Sequence, residues 1–130
     1  MITVPNNFKL KQSNIPKAGR GVFTKVEILP NTYLAVKPRG TTVGVLRHKK
    51  DIPEKYLGYC IAKENDMYHC PRDFERMELV WYLNHSLTPN AEQRSDGYYS
   101  IAQIAAGDEI LIDYNQFNEP ENLKPAYYYI

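Results

Sequence analysis

The chain has 130 residues, 43% of them hydrophobic, and its 16 Lys and Arg nearly balance 15 Asp and Glu. That length supports one globular domain, able to bury roughly two-thirds of its unfolded surface without staples, and excludes a second domain or whole-chain disorder. Apolar runs such as Leu79 to Leu83 fall far short of the roughly 20 residues that span a bilayer, and no charged-then-apolar leader follows Met1, so the chain reads as soluble and intracellular. Nine prolines and seven glycines punctuate short runs of Val, Ile, Thr and Tyr, a β pattern. In chain order the expected strands are Phe8 to Lys11, Gly21 to Lys25, Tyr33 to Val36, Tyr59 to Ala62, Tyr98 to Ile104 and Glu109 to Tyr114. One helical segment is expected from Pro71, with Phe74, Met77, Val80, Trp81 and Leu83 recurring at helical spacing. Arg47 to Asp51 reads as an exposed insertion, and the tail ending Tyr127-Tyr128-Tyr129-Ile130 reads as a docked segment.

The near-neutral total conceals an uneven distribution. Residues 1–65 carry 12 Lys and Arg against 4 Asp and Glu, a balance of +8, and residues 66–130 carry 4 against 11, a balance of −7. Either two solvated faces neutralise each other, or an acidic half bordering a cleft attracts a basic substrate. Cys60 and Cys70 are the only cysteines and form no CxxC pair, so there is no four-ligand zinc signature and no disulfide framework; two reduced thiols are expected.

Three segments carry chemistry. Gly19-Arg20-Gly21 precedes a β run, so it lacks the third glycine and the helix of a dinucleotide fingerprint; it reads as a tight turn or as a place where a ligand approaches the backbone. Asn84-His85-Ser86-Leu87-Thr88-Pro89-Asn90 is a loop of side chains that bond their own backbone, with no second histidine at metal-ligand spacing and no nucleophile elbow around Ser86. In Gly107-Asp108-Glu109-Ile110-Leu111-Ile112-Asp113-Tyr114, period-two alternation sets Ile110, Ile112 and Tyr114 on one face and Glu109, Leu111 and Asp113 on the other.

Together and in this order, the three segments resemble the SET-domain protein lysine methyltransferases. Asn84 to Asn90 matches the family's NHSxxPN motif at every fixed position, and Gly107 to Tyr114 is similar to GEELxxDY with Asp108 in place of Glu. The resemblance covers roughly residues 8–117. It implies a mainly β fold, the SET-domain (β-clip) arrangement of several small sheets with a pseudoknot-like threading and one short helix. It divides the chain into a SET domain at 1–117 and a tail at 118–130, which would serve as an aromatic lid in place of the cysteine-rich zinc segment of many relatives.

The resemblance further implies S-adenosylmethionine as cofactor and an exposed lysine of a basic protein or peptide, a histone among the candidates, as substrate. Gly19, Arg20, Gly21, Asn84, His85, Tyr114 and Tyr127 would contact the cofactor; Tyr114 would be catalytic; Ile112, Gln93 and Tyr59 would line the substrate channel. An aliphatic Ile112 leaves room for more than one methyl group. No metal, membrane or direct nucleic-acid contact is expected, and a homodimer would supply extra wall for the peptide groove. The alternative is a SET-like module that binds a basic partner without transferring anything. The intact combination of Asn84, His85 and Tyr114 favours the enzyme. The chain lacks an acidic-aromatic pair at Val36 to Gly40 and an arginine at Val80 to Leu83, departures that bear on substrate choice.

Overall fold

The structure, a computed structural model, describes residues 7–16, 18–38, 44–125 and 128. Its strands in chain order are β1 (Phe8–Gln12), β2 (Arg20–Thr24), β3 (Tyr33–Leu34), β4 (Val45–His48), β5 (Ile61–Ala62), β6 (Met67–Cys70), β7 (Asn84–His85), β8 (Ala91–Arg94), β9 (Gly97–Ser100) and β10 (Leu111–Ile112). They form four small sheets: the β1–β2 hairpin, β3-β9-β8, β4-β6-β5, and a parallel pair of β7 with β10. Among the described residues the helical turns are all 3₁₀, and no helix is long and apolar enough to cross a membrane. Mainly β architecture in several small sheets is therefore confirmed.

The core follows from composition along β2 and the segments behind it. Val22 and Phe23 are fully buried, and Leu34, Leu79, Leu83, Ile104, Ile110 and Ile112 form one cluster with Val22. A second cluster of Ile52, Cys60, Ala62, Tyr68 and Cys70 sits under β4-β6-β5, with Phe74 packed against both. Both thiols are free and buried, and burial pushes that of Cys60 up.

Two expectations are corrected. The helix from Pro71 is present only as its last turn, a 3₁₀ helix at Leu79–Tyr82. Leu79, Trp81, Tyr82 and Leu83 are all buried, and so dense a run cannot share one face of an α-helix, so the chain crosses the core instead. Asp73 ends any earlier helix by accepting the Glu75 amide in a local turn. The insertion expected at Arg47 to Asp51 is half strand: Arg47 pairs with Tyr68 in β4, donates to the carbonyls of Pro71 at 2.6 Å and Arg72 at 2.8 Å, and lies over the Phe74 ring. The six expected strands are present with their ends moved by a few residues, whereas β4, β6, β7 and β8 were not among them.

The threading is visible in β7 and β10. Leu111 pairs with Asn84 and Ile112 with His85, so the segment leading to Tyr114 runs parallel beside the Asn-His loop. Two residues of parallel ladder hold little by themselves. The crossing is locked by Asn90, whose Nδ2 donates to the Glu109 carbonyl at 2.9 Å while its Oδ1 accepts the Leu111 amide at 2.8 Å. The Ser86 amide adds a bond to the Ile112 carbonyl at 2.9 Å. Asn90→Ala strips two backbone groups of their partners and should lower unfolding free energy by about 2–3 kcal/mol, read as a fall in the urea midpoint at constant slope.

Candidate functional site

The crossing places Asn84, His85, Ile112 and Tyr114 on the wall of a cleft of about 1040 Å³. That is the upper end of the range for ligand sites, enough for a nucleoside cofactor together with a side chain entering from elsewhere. Tyr59 and Gln93, expected at the substrate channel, line the same cleft, so all three channel residues share one cavity with the motif residues. Gly19, Arg20 and Gly21 are not on its wall; Ile15, Pro16 and Ala18 represent their hairpin there. Tyr127 lies outside the described residues.

Tyr114 is held at three points. Its amide donates to His85 Nδ1 at 3.0 Å, its hydroxyl donates to the Leu83 carbonyl at 2.5 Å, and its ring meets that of Tyr128 edge-on at 5.3 Å. His85 is fixed by the same contacts. Because Nδ1 accepts from the Tyr114 amide, the ring proton sits on Nε2, which donates to the Tyr128 carbonyl at 3.0 Å. Asp113 lies 3.7 Å from Nδ1 and makes no ion pair with this tautomer. The imidazole is thus a neutral spacer between the crossing and the tail rather than a base.

The tail docks through Tyr128. It is buried, its hydroxyl donates a short hydrogen bond to Glu119, and the other carboxylate oxygen of Glu119 accepts the Ala62 amide at 2.8 Å. Asn115 Nδ2 also donates to the Tyr128 carbonyl at 3.0 Å. A tyrosine-rich ending signalled docking; which tyrosine docks was not legible.

Beneath Asn84 lies a residue that pattern reasoning set aside. Glu109 is buried and accepts from Ser13 Oγ at 2.9 and 2.8 Å, from the Asn14 amide at 3.3 Å and from Asn84 Nδ2 at 2.9 Å. Asn84 Nδ2 also donates to the Arg20 carbonyl at 3.0 Å. The alternation set Glu109 on the strand face opposite Ile110 and Ile112, but Ser13 and Asn14 at the turn of the β1–β2 hairpin close over its carboxylate. The same packing accounts for Gly21: a Cβ there would stand 2.1 Å from Glu109 Oε2 and 2.9 Å from Asn84 Nδ2. Gly19 has φ +73°, the left-handed turn that glycine favours.

Charge on the wall differs from the expectation of an acidic cleft. Lys37, Lys63 and Arg94 line it, and no Asp or Glu does among the described residues. Of the carboxylates nearby, Glu109 and Glu119 are buried behind the wall, and the partly exposed Glu92 pairs with Arg94 at 2.8 Å. Its other surface is aromatic, with Tyr59, Trp81, Tyr82, Tyr98, Tyr114 and Phe117. Burial pushes the Tyr98 phenol up to about 12, and burial also raises that of Tyr82.

The SET-domain family model matches residues 19–115. The chain belongs to the SET-domain family. A SET domain-containing protein of Dictyostelium discoideum is 25% identical over 132 residues; the match covers 95% of this chain and 33% of that protein, so the chain spans about a third of its relative's length. Among solved structures, the methyltransferase domain of human PR domain-containing protein 2 superimposes with a TM-score of 0.55 at 23% identity, covering 91% of this chain and 83% of that one. ctPRC2 in an autoinhibited conformation bound to S-adenosylmethionine gives a TM-score of 0.62 at 18% identity, covering 88% of this chain and 16% of that one. At these identities the structural likeness establishes a shared fold.

Two predictions follow from the packing. Gly21→Ala forces a methyl group into a carboxylate that Ser13 and Asn84 hold in place, and should cost about 3 kcal/mol in thermal or urea unfolding. Tyr98 is less acidic folded, at about 12, than at its ordinary 10.0, so its contribution is fully present below pH 10 and is lost as pH rises from 10 towards 12. Urea midpoints in that window should fall for the wild type, and less steeply for Tyr98→Phe.

Proposed function

We propose that the chain is an S-adenosylmethionine-dependent protein lysine methyltransferase in which Tyr114 is the catalytic tyrosine. The observation that carries this reading is the anchoring of the Tyr114 hydroxyl on the Leu83 carbonyl, at the wall of an aromatic cleft that Asn84, His85 and Ile112 also line. With its proton directed to that carbonyl, the phenol presents its oxygen as an acceptor, a suitable partner for a substrate amine. Asn84 fits the cofactor: both hydrogens of its amide are taken by Arg20 and Glu109, and no described group donates to its Oδ1. Asn84 lines the cleft with its Oδ1 left as an acceptor that an N–H donor of a ligand can meet.

S-adenosylmethionine, when bound, supplies a methyl group on a cationic sulfonium. The protein's own task is to deliver a neutral lysine amine in line with that methyl. Lysine's ordinary pKa is about 10.4, so loss of its proton at pH 7 costs roughly 4–5 kcal/mol. The aromatic wall of Tyr59, Tyr82 and Tyr98 excludes water from the amine, and Lys37 and Lys63 repel its charged form, the charge of Arg94 being met by Glu92 at 2.8 Å; both effects lower that pKa. His85 is committed at both nitrogens and does not serve as a general base. Tyr114 aligns the amine, and catalysis is mainly orientation and electrostatics. Ile112 lacks a hydroxyl to hold a water beside the amine, which favours more than one methyl transfer.

Isothermal titration with S-adenosylmethionine should give micromolar binding, about tenfold weaker in Asn84→Ala and unchanged in Tyr114→Phe. Transfer of labelled methyl to a lysine-containing peptide should fall about a hundredfold or more in Tyr114→Phe. Binding with no transfer to any lysine peptide would point to a module that recognises a partner without chemistry, and no binding would overturn the cofactor assignment.

A further inference from the structure

We infer that Glu109 is a positioning residue for the cofactor site: its buried carboxylate fixes the Asn84 amide so that an electron-rich oxygen faces the cleft. This rests on the reading of that cleft as the S-adenosylmethionine site.

Three observations carry it. First, Asn84 Nδ2 has two acceptors, the Arg20 carbonyl at 3.0 Å and Glu109 Oε2 at 2.9 Å, so the orientation of the amide is decided by chemistry: the oxygen cannot occupy the nitrogen's place without facing two acceptors. Second, Glu109 is itself held rigidly by the Ser13 hydroxyl, which contacts both carboxylate oxygens, and by the Asn14 amide. Third, every donor to Glu109 is neutral, and among the described residues no Lys, Arg or His forms an ion pair with it although it is only 6% exposed. A buried carboxylate with no cation is costly, and a positively charged ligand nearby offsets that cost.

The pieces form a short relay. The carboxylate draws on an N–H of the amide, polarises it, and leaves Oδ1 a stronger acceptor than an unsupported amide oxygen. A site so built prefers a cationic donor, such as the ammonium end of the cofactor, over a neutral one. It also gives the second glycine of the Gly-Arg-Gly turn a role in keeping this relay clear, since any side chain there would displace the carboxylate.

The test is a double-mutant cycle on S-adenosylmethionine affinity, using the full chain and monitoring folding by thermal melting. Glu109→Gln keeps the shape and removes the charge. It should weaken binding roughly tenfold in the wild-type background and have no further effect in Asn84→Ala, because it acts through that residue. Equal losses in both backgrounds, or undiminished binding, would overturn the relay while leaving the cofactor assignment intact. A wild-type chain that binds no S-adenosylmethionine would overturn both. If Glu109→Gln does not fold, Ser13→Ala carries the same test: it loosens the carboxylate without touching Asn84, and should weaken binding about threefold only where Asn84 is present.

Discussion

The site depends on one crossing, where the segment from Glu109 to Tyr114 runs parallel beside Asn84 to Asn90. Parallel strands of two residues give few ladder bonds, and the side chains of the loop supply the rest. Asn90 grips the incoming backbone on both sides of Ile110, Ser86 grips it at Ile112, and His85 receives it at Tyr114. A loop so dense in Asn, His, Ser and Thr is thus largely a backbone clamp. The geometry of Tyr114 and Asn84 follows from it, because each stands at a fixed register from the clamp.

The electrostatics of the cleft have two layers. The exposed wall carries cationic and aromatic side chains, and the carboxylates Glu109 and Glu119 are held behind it by hydrogen bonds. An ammonium entering the cleft therefore meets Lys37, Lys63, the paired Arg94 and a largely aromatic surface. That arrangement suits a reaction requiring the amine to arrive without its proton, and it would serve poorly as a store for a charged lysine. On the proposed reading, recognition of positive charge falls instead to oxygens with fixed orientation, the Leu83 carbonyl, the Tyr114 hydroxyl and the Asn84 amide.

Much of this was legible in the sequence because it resides in local patterns. Turn residues marked the hairpins, alternation from Glu109 to Tyr114 marked a strand with Ile110 and Ile112 inward, and the two long motifs marked the crossing. What stayed hidden depends on distant partners. Helical spacing over Pro71 to Leu83 could not show that four nearly consecutive side chains would be buried on all sides. The charge of Arg47 suggested solvent, whereas its guanidinium spans two carbonyls and a ring. Alternation set Glu109 on the face away from Ile110 and Ile112 and could not show that Ser13 and Asn14 would close over it, and the balance of charge between the halves did not reveal which sign would line the cleft.

The contacts that join Glu109 to Ser13 and Asn84 to Arg20 close loops of 96 and 64 residues. Both closures join distant parts of the chain at an entropic cost, so the first hairpin and the last strands must both be in place before the site exists. A partly folded chain would hold its local hairpins and still lack the cleft. Local fraying at the first hairpin would likewise remove the support of Asn84, so occupancy of the cleft and integrity of the whole domain are thermodynamically linked: a ligand that binds there stabilises the entire fold by mass action rather than one loop of it.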